Sequence, residues 1–167
     1  MDDIAVLRAI EQIKVLKARY FRGIDLKDWD LIRSVFADDV ECDFRGAATD
    51  PATGFNPVPE ATGSIILGIE DTVAAFEASG AHFRSVHHGH MPEIEILSDT
   101  TARAIWAMFD TLRFAAGPIA EITAYGHYHE TYEKIGGDWK IKTIRLTRLR
   151  VDTVARPHDS EPYASGA

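Results

Sequence analysis

A carboxylate stands among apolar side chains in the segment from residue 101 to 114. The alternation there predicts a strand, whose more apolar face carries Ala102, Ala104, Trp106, Met108, Asp110, Leu112 and Phe114. Burying an isolated carboxylate costs several kcal/mol, so Asp110 must be paired, protonated or placed at a cavity wall. We favour the cavity, because functional sites collect such groups. An ion pair in the core, or an error in assigning the faces, is the alternative.

Three histidines fall within four residues: His87, His88 and His90. A metal site that also recruits His127 and His129 is conceivable, but the spacing matches no recognised ligand motif. Strand alternation also argues against it, because His88 and His90 share one face and His87 points to the other. A single inward histidine acting as general acid or base is the better interpretation. Alternation alone does not choose among the three.

Two further candidates end the first helix. Tyr20 lies on the apolar stripe, so its ring should face inward and its hydroxyl needs a partner. A core tyrosine with one hydrogen bond is the simpler interpretation of that pattern. Asp25 follows directly after Gly23 and Ile24, and an aspartate between two helices is often a cap or a turn residue.

The last strand carries the fifth candidate, Arg148. Apolar residues occupy odd positions at Trp139 and Ile141 but even positions at Ile144 and Leu146. A β-bulge near residue 142 or 143 would keep all four on one face, and Arg148 would then point inward, where it could pair with Asp110. A solvated edge formed by the arginines 145, 148 and 150 is equally compatible with the sequence.

The elements that must position these residues follow from periodicity. Apolar residues at three- and four-residue steps predict a helix over residues 4–24, with Lys14, Lys17 and Arg22 on its surface. We predict further helices at 28–37 and 70–79, strands at 40–44, 82–97, 101–114, 121–135 and 139–151, and a loop or irregular hairpin at 45–63. The strand at 82–97 should bend near Gly89 and Pro92, and a tight hairpin should span 136–138.

Helices followed by long antiparallel strands predict an α+β domain. Three helices cannot cover four long strands laid flat, so the sheet must curl. The expected fold is therefore a cone-shaped, curved, mostly antiparallel sheet, closed by the amino-terminal helices around an interior pocket. We expect a single domain over residues 1–152 and a carboxy-terminal tail over 153–167, which is rich in Pro, Ser and Gly.

Composition narrows the class of protein. The 167 residues carry 18 Lys and Arg against 26 Asp and Glu, a net charge of −8, which argues against nucleic acids and anionic membranes as partners. Cys42 is the single cysteine, so an internal disulfide and a zinc-type cysteine pattern are excluded. No apolar run approaches about 18 residues, and the acidic start Met1-Asp2-Asp3 does not read as a signal peptide. We therefore expect a cytoplasmic protein.

Several motifs, in their order and spacing, resemble the SnoaL-like branch of the nuclear-transport-factor-two-like superfamily. Within it they most resemble the bile acid 7α-dehydratases, and more distantly the scytalone dehydratases and lindane dehydrochlorinases. The likeness covers roughly residues 5–152 and rests on segments 17–25 (KARYFRGID), 87–94 (HHGHMPEI), 106–110 (WAMFD) and 132–135 (YEKI), with Trp29, Trp139 and Arg148. The loop at 45–63 is longer than the family pattern, so the substrate entrance should differ.

The resemblance implies a catalytic set made of Tyr20, Asp25, His87, Asp110 and Arg148, and it selects His87 among the histidines. It implies a lyase, a dehydratase without cofactor or metal, acting on a bulky, steroid-like or polycyclic keto substrate. We expect the pocket walls to include Trp106, Met108, Leu112 and Tyr128. The resemblance also implies a homo-oligomer, a trimer rather than a dimer, and the outward Ile105 and Phe109 fit a covered outer face.

Three alternatives remain open at this stage. A ring-ketone isomerase or polyketide-type cyclase could use the same proton-transfer groups. A non-catalytic binder of hydrophobic ligands is possible because the superfamily contains such proteins, and fold alone does not prove an activity. The small subunit of a ring-hydroxylating oxygenase shares the fold but leaves Tyr20, Asp25 and His87 unexplained.

Overall fold

Three helices and a six-stranded mixed sheet make up the structure, a computed structural model that describes residues 2–58 and 63–157. The helices are α1 (Asp3–Leu26), α2 (Trp29–Val35) and α3 (Ile69–Gly80). The strands are β1 (Phe36–Asp43), β2 (Ile65–Leu67), β3 (Phe83–Ile96), β4 (Thr101–Phe114), β5 (Ile119–Ile135) and β6 (Asp138–Ala155). The α+β prediction is therefore confirmed.

The sheet runs in the order β2-β1-β6-β5-β4-β3 and does not close into a barrel. Its neighbours are antiparallel except β1 and β6, which are parallel. Helix α1 packs against β3 and β6, while α2 and α3 pack against β1. The main core lies between these helices and the sheet, around Ile13, Tyr20, Ile32, Phe36 and Tyr128. No helix in the described ranges is long and apolar enough to cross a membrane.

Helix α1 is held at both ends by local chemistry. The Asp2 side chain accepts the amide of Ala5 at 2.7 Å, which satisfies one of the free N–H groups of the first turn. The helix ends at Leu26, because the next residue, Lys27, takes the left-handed conformation with a φ of 59°. Its inward stripe includes Ile13, Leu16 and Tyr20, as predicted, but also Lys17, which is fully buried. The expectation that Lys17 lies on the surface was wrong.

Tertiary pairing moves several predicted boundaries. Helix α2 ends at Val35 rather than at residue 37, because Phe36 is already extended and pairs with Ile141 of β6. The three-residue strand β2 at the end of the 45–63 loop was not predicted; it pairs with β1 at the sheet edge. Strand β6 continues to Ala155, so residues 153–155, predicted as tail, belong to the sheet. Residues 59–62 of the predicted loop and 158–167 of the predicted tail lie outside the described residues.

Bulges bend the strands that carry the candidate residues. Strand β3 has its irregularity between His90 and Glu93, with Met91 at a φ of 34°, close to the predicted bend. Strand β6 has an extra residue at Lys142, because Ile141 pairs with Tyr132 and Thr143 with Thr131. The predicted bulge is thus present, and it brings Ile144, Leu146 and Arg148 to the face that carries Ile141.

Candidate active site

His87 and Asp25 are in direct contact at the junction of α1 and β3. Alternation along β3 turns Ser85 and His87 toward the helices and His88 and His90 away from them. The Nδ1 atom of His87 lies 2.6 Å from Oδ1 of Asp25, and the backbone amide of His87 donates to Oδ2 at 2.9 Å. A carboxylate on Nδ1 favours the tautomer with the proton on that atom, so Nε2 is the nitrogen free to accept a proton.

Ser85 completes the environment of Asp25. Its hydroxyl donates to Oδ1 of Asp25 at 2.9 Å. Burial alone would raise the pKa of Asp25, but the hydrogen bonds from His87 and Ser85 outweigh it and hold the pKa below its ordinary value. Asp25 therefore stays ionised and can stabilise a protonated His87, as a carboxylate does beside the histidine of a serine-protease triad.

Tyr20 and Tyr128 form a buried pair beside this dyad. Their rings meet edge to face with centroids 5.9 Å apart. Burial raises the pKa of Tyr20 well above the ordinary value for a phenol, and that of Tyr128 is raised as well. Both side chains are therefore neutral near pH 7, so Tyr20 can act as a hydrogen-bond donor or an acid but not as a phenolate base.

Asp110 and Arg148 form a buried ion pair across the sheet from His87. Asp110 is the direct cross-strand neighbour of His87, and its Oδ2 lies 2.8 Å from Nη2 of Arg148. Arg148 also donates through Nε to the carbonyl oxygen of Ala47 at 2.6 Å. The other carboxylate oxygen of Asp110, Oδ1, is buried and has no hydrogen-bond partner among the described residues. Such an oxygen is costly to bury without a partner, so Asp110 has unused acceptor capacity at the cavity that it lines.

A cavity of about 200 Å³ brings these side chains together. Tyr20, His87, Asp110 and Arg148 line it, and Asp25 lies behind His87. Its other walls are mainly apolar and include Ile24, Trp29, Phe44, Phe76, Phe83 and Leu146. Of the four residues predicted for the walls, Leu112 and Tyr128 are present. Trp106 and Met108 are buried deeper: Trp106 donates to the hydroxyl of Tyr132, and the Met108 sulfur contacts Arg148.

A second polar network, which the sequence analysis missed, lies behind the two tyrosines. Lys17 and Glu130 form an ion pair whose side chains are at most 1% exposed. The Tyr132 hydroxyl donates to Glu130, and Lys17 Nζ lies 3.7 Å from the ring centroid of Tyr128 and 4.2 Å from that of Tyr20. Burial lowers the pKa of Lys17 to about 8. A sequence signal existed, since Lys17 is three residues before Tyr20 on one helical face.

The other histidines of strands β3 and β5 lie on the opposite face of the sheet. His88 and His90 stack on Phe109, with ring centroids 4.8 Å and 5.6 Å away. His127 and His129 neighbour each other on β5, with centroids 6.3 Å apart. No group of three or more potential metal ligands occurs in residues 2–58 and 63–157. Because His88, His90, His127 and His129 lie on the outer face, the sheet separates their side chains from the cavity.

Comparison with known proteins gives matches at the level of sequence. A family model described as a SnoaL-like domain matches residues 5–145. The candidate cyclase FGR4 of Gibberella zeae is 28% identical over 145 residues, which cover 80% of this chain and 86% of that protein.

Solved structures with the same fold include one named as a dehydratase and one named as a dehydrochlorinase. A candidate scytalone dehydratase from Novosphingobium aromaticivorans has a TM-score of 0.75 at 18% identity, covering 99% of this chain and 100% of that chain. A hexachlorocyclohexane dehydrochlorinase, LinA Type2, has a TM-score of 0.74 at 18% identity, covering 98% and 100%. At such identities the likeness is one of fold. The expected fold family is confirmed, while the closer kinship with bile acid 7α-dehydratases stays a prediction.

Proposed function

The chain belongs to the family of SnoaL-like domains, and from that premise we propose that it is a dehydratase that uses acid–base side chains. One observation carries the proposal: a histidine–carboxylate dyad and an unpaired carboxylate oxygen are cross-strand neighbours at the wall of one mostly apolar cavity. The first can remove a proton from carbon, and the second can hold the hydroxyl group that leaves.

In the proposed reaction, Nε2 of His87 removes a proton from a carbon next to a carbonyl group. Asp25 stabilises the imidazolium that forms. Asp110 accepts the hydrogen bond of the substrate hydroxyl on the neighbouring carbon, and Arg148 holds the Asp110 side chain in place through their ion pair. The carbon–oxygen bond then breaks, Tyr20 supplies the proton that turns the leaving hydroxide into water, and the electron pair left by the first proton forms the new double bond. The proton on His87 restores Tyr20 through solvent.

The volume of the cavity limits the size of the substrate that it can enclose. An apolar cavity of about 150 Å³ holds benzene, and drug-sized ligands occupy roughly 300–1,000 Å³. A cavity of about 200 Å³ therefore encloses one substituted ring or a small bicycle. We propose a compact cyclic β-hydroxy ketone as the enclosed part. A steroid-like substrate would have to leave most of its rings outside.

The test is turnover of β-hydroxy ketones such as 3-hydroxycyclohexanone and hydroxydecalones, followed by the ultraviolet absorbance of the conjugated product. We expect a product lighter by one water. His87→Ala and Asp25→Asn should lower kcat by about 10²–10⁴-fold, the usual contribution of a positioned proton acceptor.

His88→Ala is the matched control, because His88 is the next residue on the same strand and faces away from the cavity. It should keep full activity. Turnover that is equal in wild type, His87→Ala and Asp25→Asn would exclude the proposed dyad.

A ring-ketone isomerase or cyclase is the second candidate, favoured by the sequence likeness to the cyclase candidate FGR4. The same histidine and tyrosine could move a proton within a ring without loss of water. Product mass separates the two activities, because an isomer keeps the mass of its substrate.

A further inference from the structure

Lys27 is a cation at the cavity that the proposed reaction does not use. It is half-buried and lines the cavity next to Ser79, Gly80 and Phe83. Its backbone is held by the left-handed turn that ends α1. Its Nζ lies 4.9 Å from the ring centroid of Phe83, and a Cβ added at Gly80 would come within 3.2 Å of it. The side chain is therefore held along the wall rather than extended into solvent.

The ammonium group of Lys27 has few partners. Its one hydrogen bond among the described residues goes to Ser85 Oγ over 3.4 Å, and that hydroxyl gives its own proton to Asp25. Within the part of the chain that the structure describes, no carboxylate oxygen lies within 4.0 Å of it. Burial lowers the pKa of Lys27, and the attraction of Asp25 offsets this in part.

Neither nearby carboxylate serves as a direct counter-ion for Lys27. Asp25 already accepts from the Ser85 hydroxyl and from the backbone amide and the ring Nδ1 of His87. Asp110 is paired with Arg148. Since Lys27 has three N–H donors and uses one, the cavity wall presents a cation with two donors left for a ligand.

The position of Lys27 along β3 differs from that of the proton-transfer groups. Lys27 contacts Ser85, whereas His87, which pairs with Asp110, is two residues further along the strand. Two residues of a strand span roughly 6.6 Å. Along β3, the contact point of Lys27 is thus offset from His87 by about the length of one substituted six-membered ring.

We propose that Lys27 binds a carboxylate on the substrate, on the opposite side of the ring from the carbon that His87 deprotonates. This inference rests on the proposed function, because it takes the cavity as the substrate site. It defines the substrate class more narrowly as a compact cyclic keto acid. A carboxylate is favoured over a neutral carbonyl because the ammonium lacks a direct counter-ion and the cavity's other cation, Arg148, already has one.

The test is binding of 4-oxocyclohexanecarboxylate and of its primary amide, which has the same shape without the charge. Binding is measured by the fluorescence of Trp29, which lines the cavity. Wild type should bind the acid about tenfold more tightly than the amide, the value of one partly exposed charge-assisted hydrogen bond. Lys27→Met should remove that preference and leave the affinity for the amide unchanged, whereas Lys27→Arg should keep it.

Lys14→Met is the control for loss of one positive charge, because Lys14 is exposed on the outside of α1 and pairs with Glu11. Equal affinities of wild type for acid and amide, a preference that persists in Lys27→Met, or no saturable binding of the acid at millimolar concentration would each overturn the proposal. The binding readout is independent of turnover. Failure of the dehydratase proposal therefore remains distinguishable from failure of this one.

Discussion

At the scale of single residues, Lys17 and Glu130 form the most deeply buried ion pair among the described residues. Both side chains are at most 1% exposed, so removing one partner leaves a charge without solvent. We predict that Lys17→Met lowers the free energy of unfolding by about 3–5 kcal/mol. The double variant Lys17→Met with Glu130→Gln should recover most of that loss, because the amide oxygen still accepts from Tyr132.

Urea unfolding of the single and the double variant, compared with wild type, measures this prediction. Lys14→Met is the control on the same helix, since its exposed pair with Glu11 is worth less than about 1 kcal/mol. A Lys17→Met variant as stable as Lys14→Met would show that the pair contributes nothing net to folding.

The same residue shows where sequence analysis falls short. Lys17 carries a charge, and a charged side chain on an amphipathic helix is normally placed on the surface. Its partner Glu130 lies more than one hundred positions away, so the pair becomes visible only once α1 and β5 are packed. Asp110 was easier to identify, because its strand alternates clearly and it interrupts an apolar face. The inward position of Arg148 depended on one predicted bulge, and a solvated edge was equally compatible with the sequence.

At the scale of elements, β6 carries a second bulge that the sequence analysis did not predict. Arg148 pairs with Gly126 and Arg150 with Tyr125, so Leu149 is an extra residue. A Cβ at Gly126 would lie 2.0 Å from the carbonyl oxygen of Thr147. Gly126 is therefore required for the close approach of β6 at the residue next to Arg148. This bulge shifts the inward–outward alternation of β6 by one residue, so that the odd-numbered Val151 is buried.

We predict that Gly126→Ala destabilises the protein by more than about 2 kcal/mol, because backbone and not a flexible side chain must move. It should also disturb the contact of Arg148 with Asp110. Thermal unfolding checks the stability, and turnover of the hydroxy ketone checks the site. Gly137 is no suitable control, because its φ of 96° would strain any other residue. Ala120→Gly is the control, because Ala120 lies on the same strand as Gly126 and the change requires no backbone shift. Unchanged stability of Gly126→Ala would mean that β6 can shift freely here.

The long elements could be predicted because their periodicity extends over many residues. Strand β4 runs over residues 101–114, as predicted. Short elements could not be predicted, because three apolar residues are too few to show a periodicity. Strand β2 is such an element, and it forms because its backbone pairs with β1. The end of α2 was misplaced for a related reason, as Phe36 takes its extended conformation from pairing with β6 rather than from a local helix-stop signal.

At the scale of the whole molecule, the face of the sheet away from the helices lacks a cover among the described residues. It exposes Val86, Ile105 and Leu149, and His88 and Phe109 stack on it. A groove of about 720 Å³ crosses the same face and is lined by both acidic and basic side chains. Apolar area with charges of both signs fits an interface with other copies of the chain.

We therefore propose that this outer face joins copies of the chain, and we predict a homo-oligomer, a trimer rather than a dimer, by light scattering after size-exclusion chromatography. Ile105→Glu should shift the mass toward that of the monomer, because a carboxylate would be buried at the interface without a partner. Leu7→Glu is the control, since Leu7 is exposed on α1. A wild-type protein that is monomeric at every concentration would contradict the proposal. A mass unaffected by Ile105→Glu would place the interface on another surface.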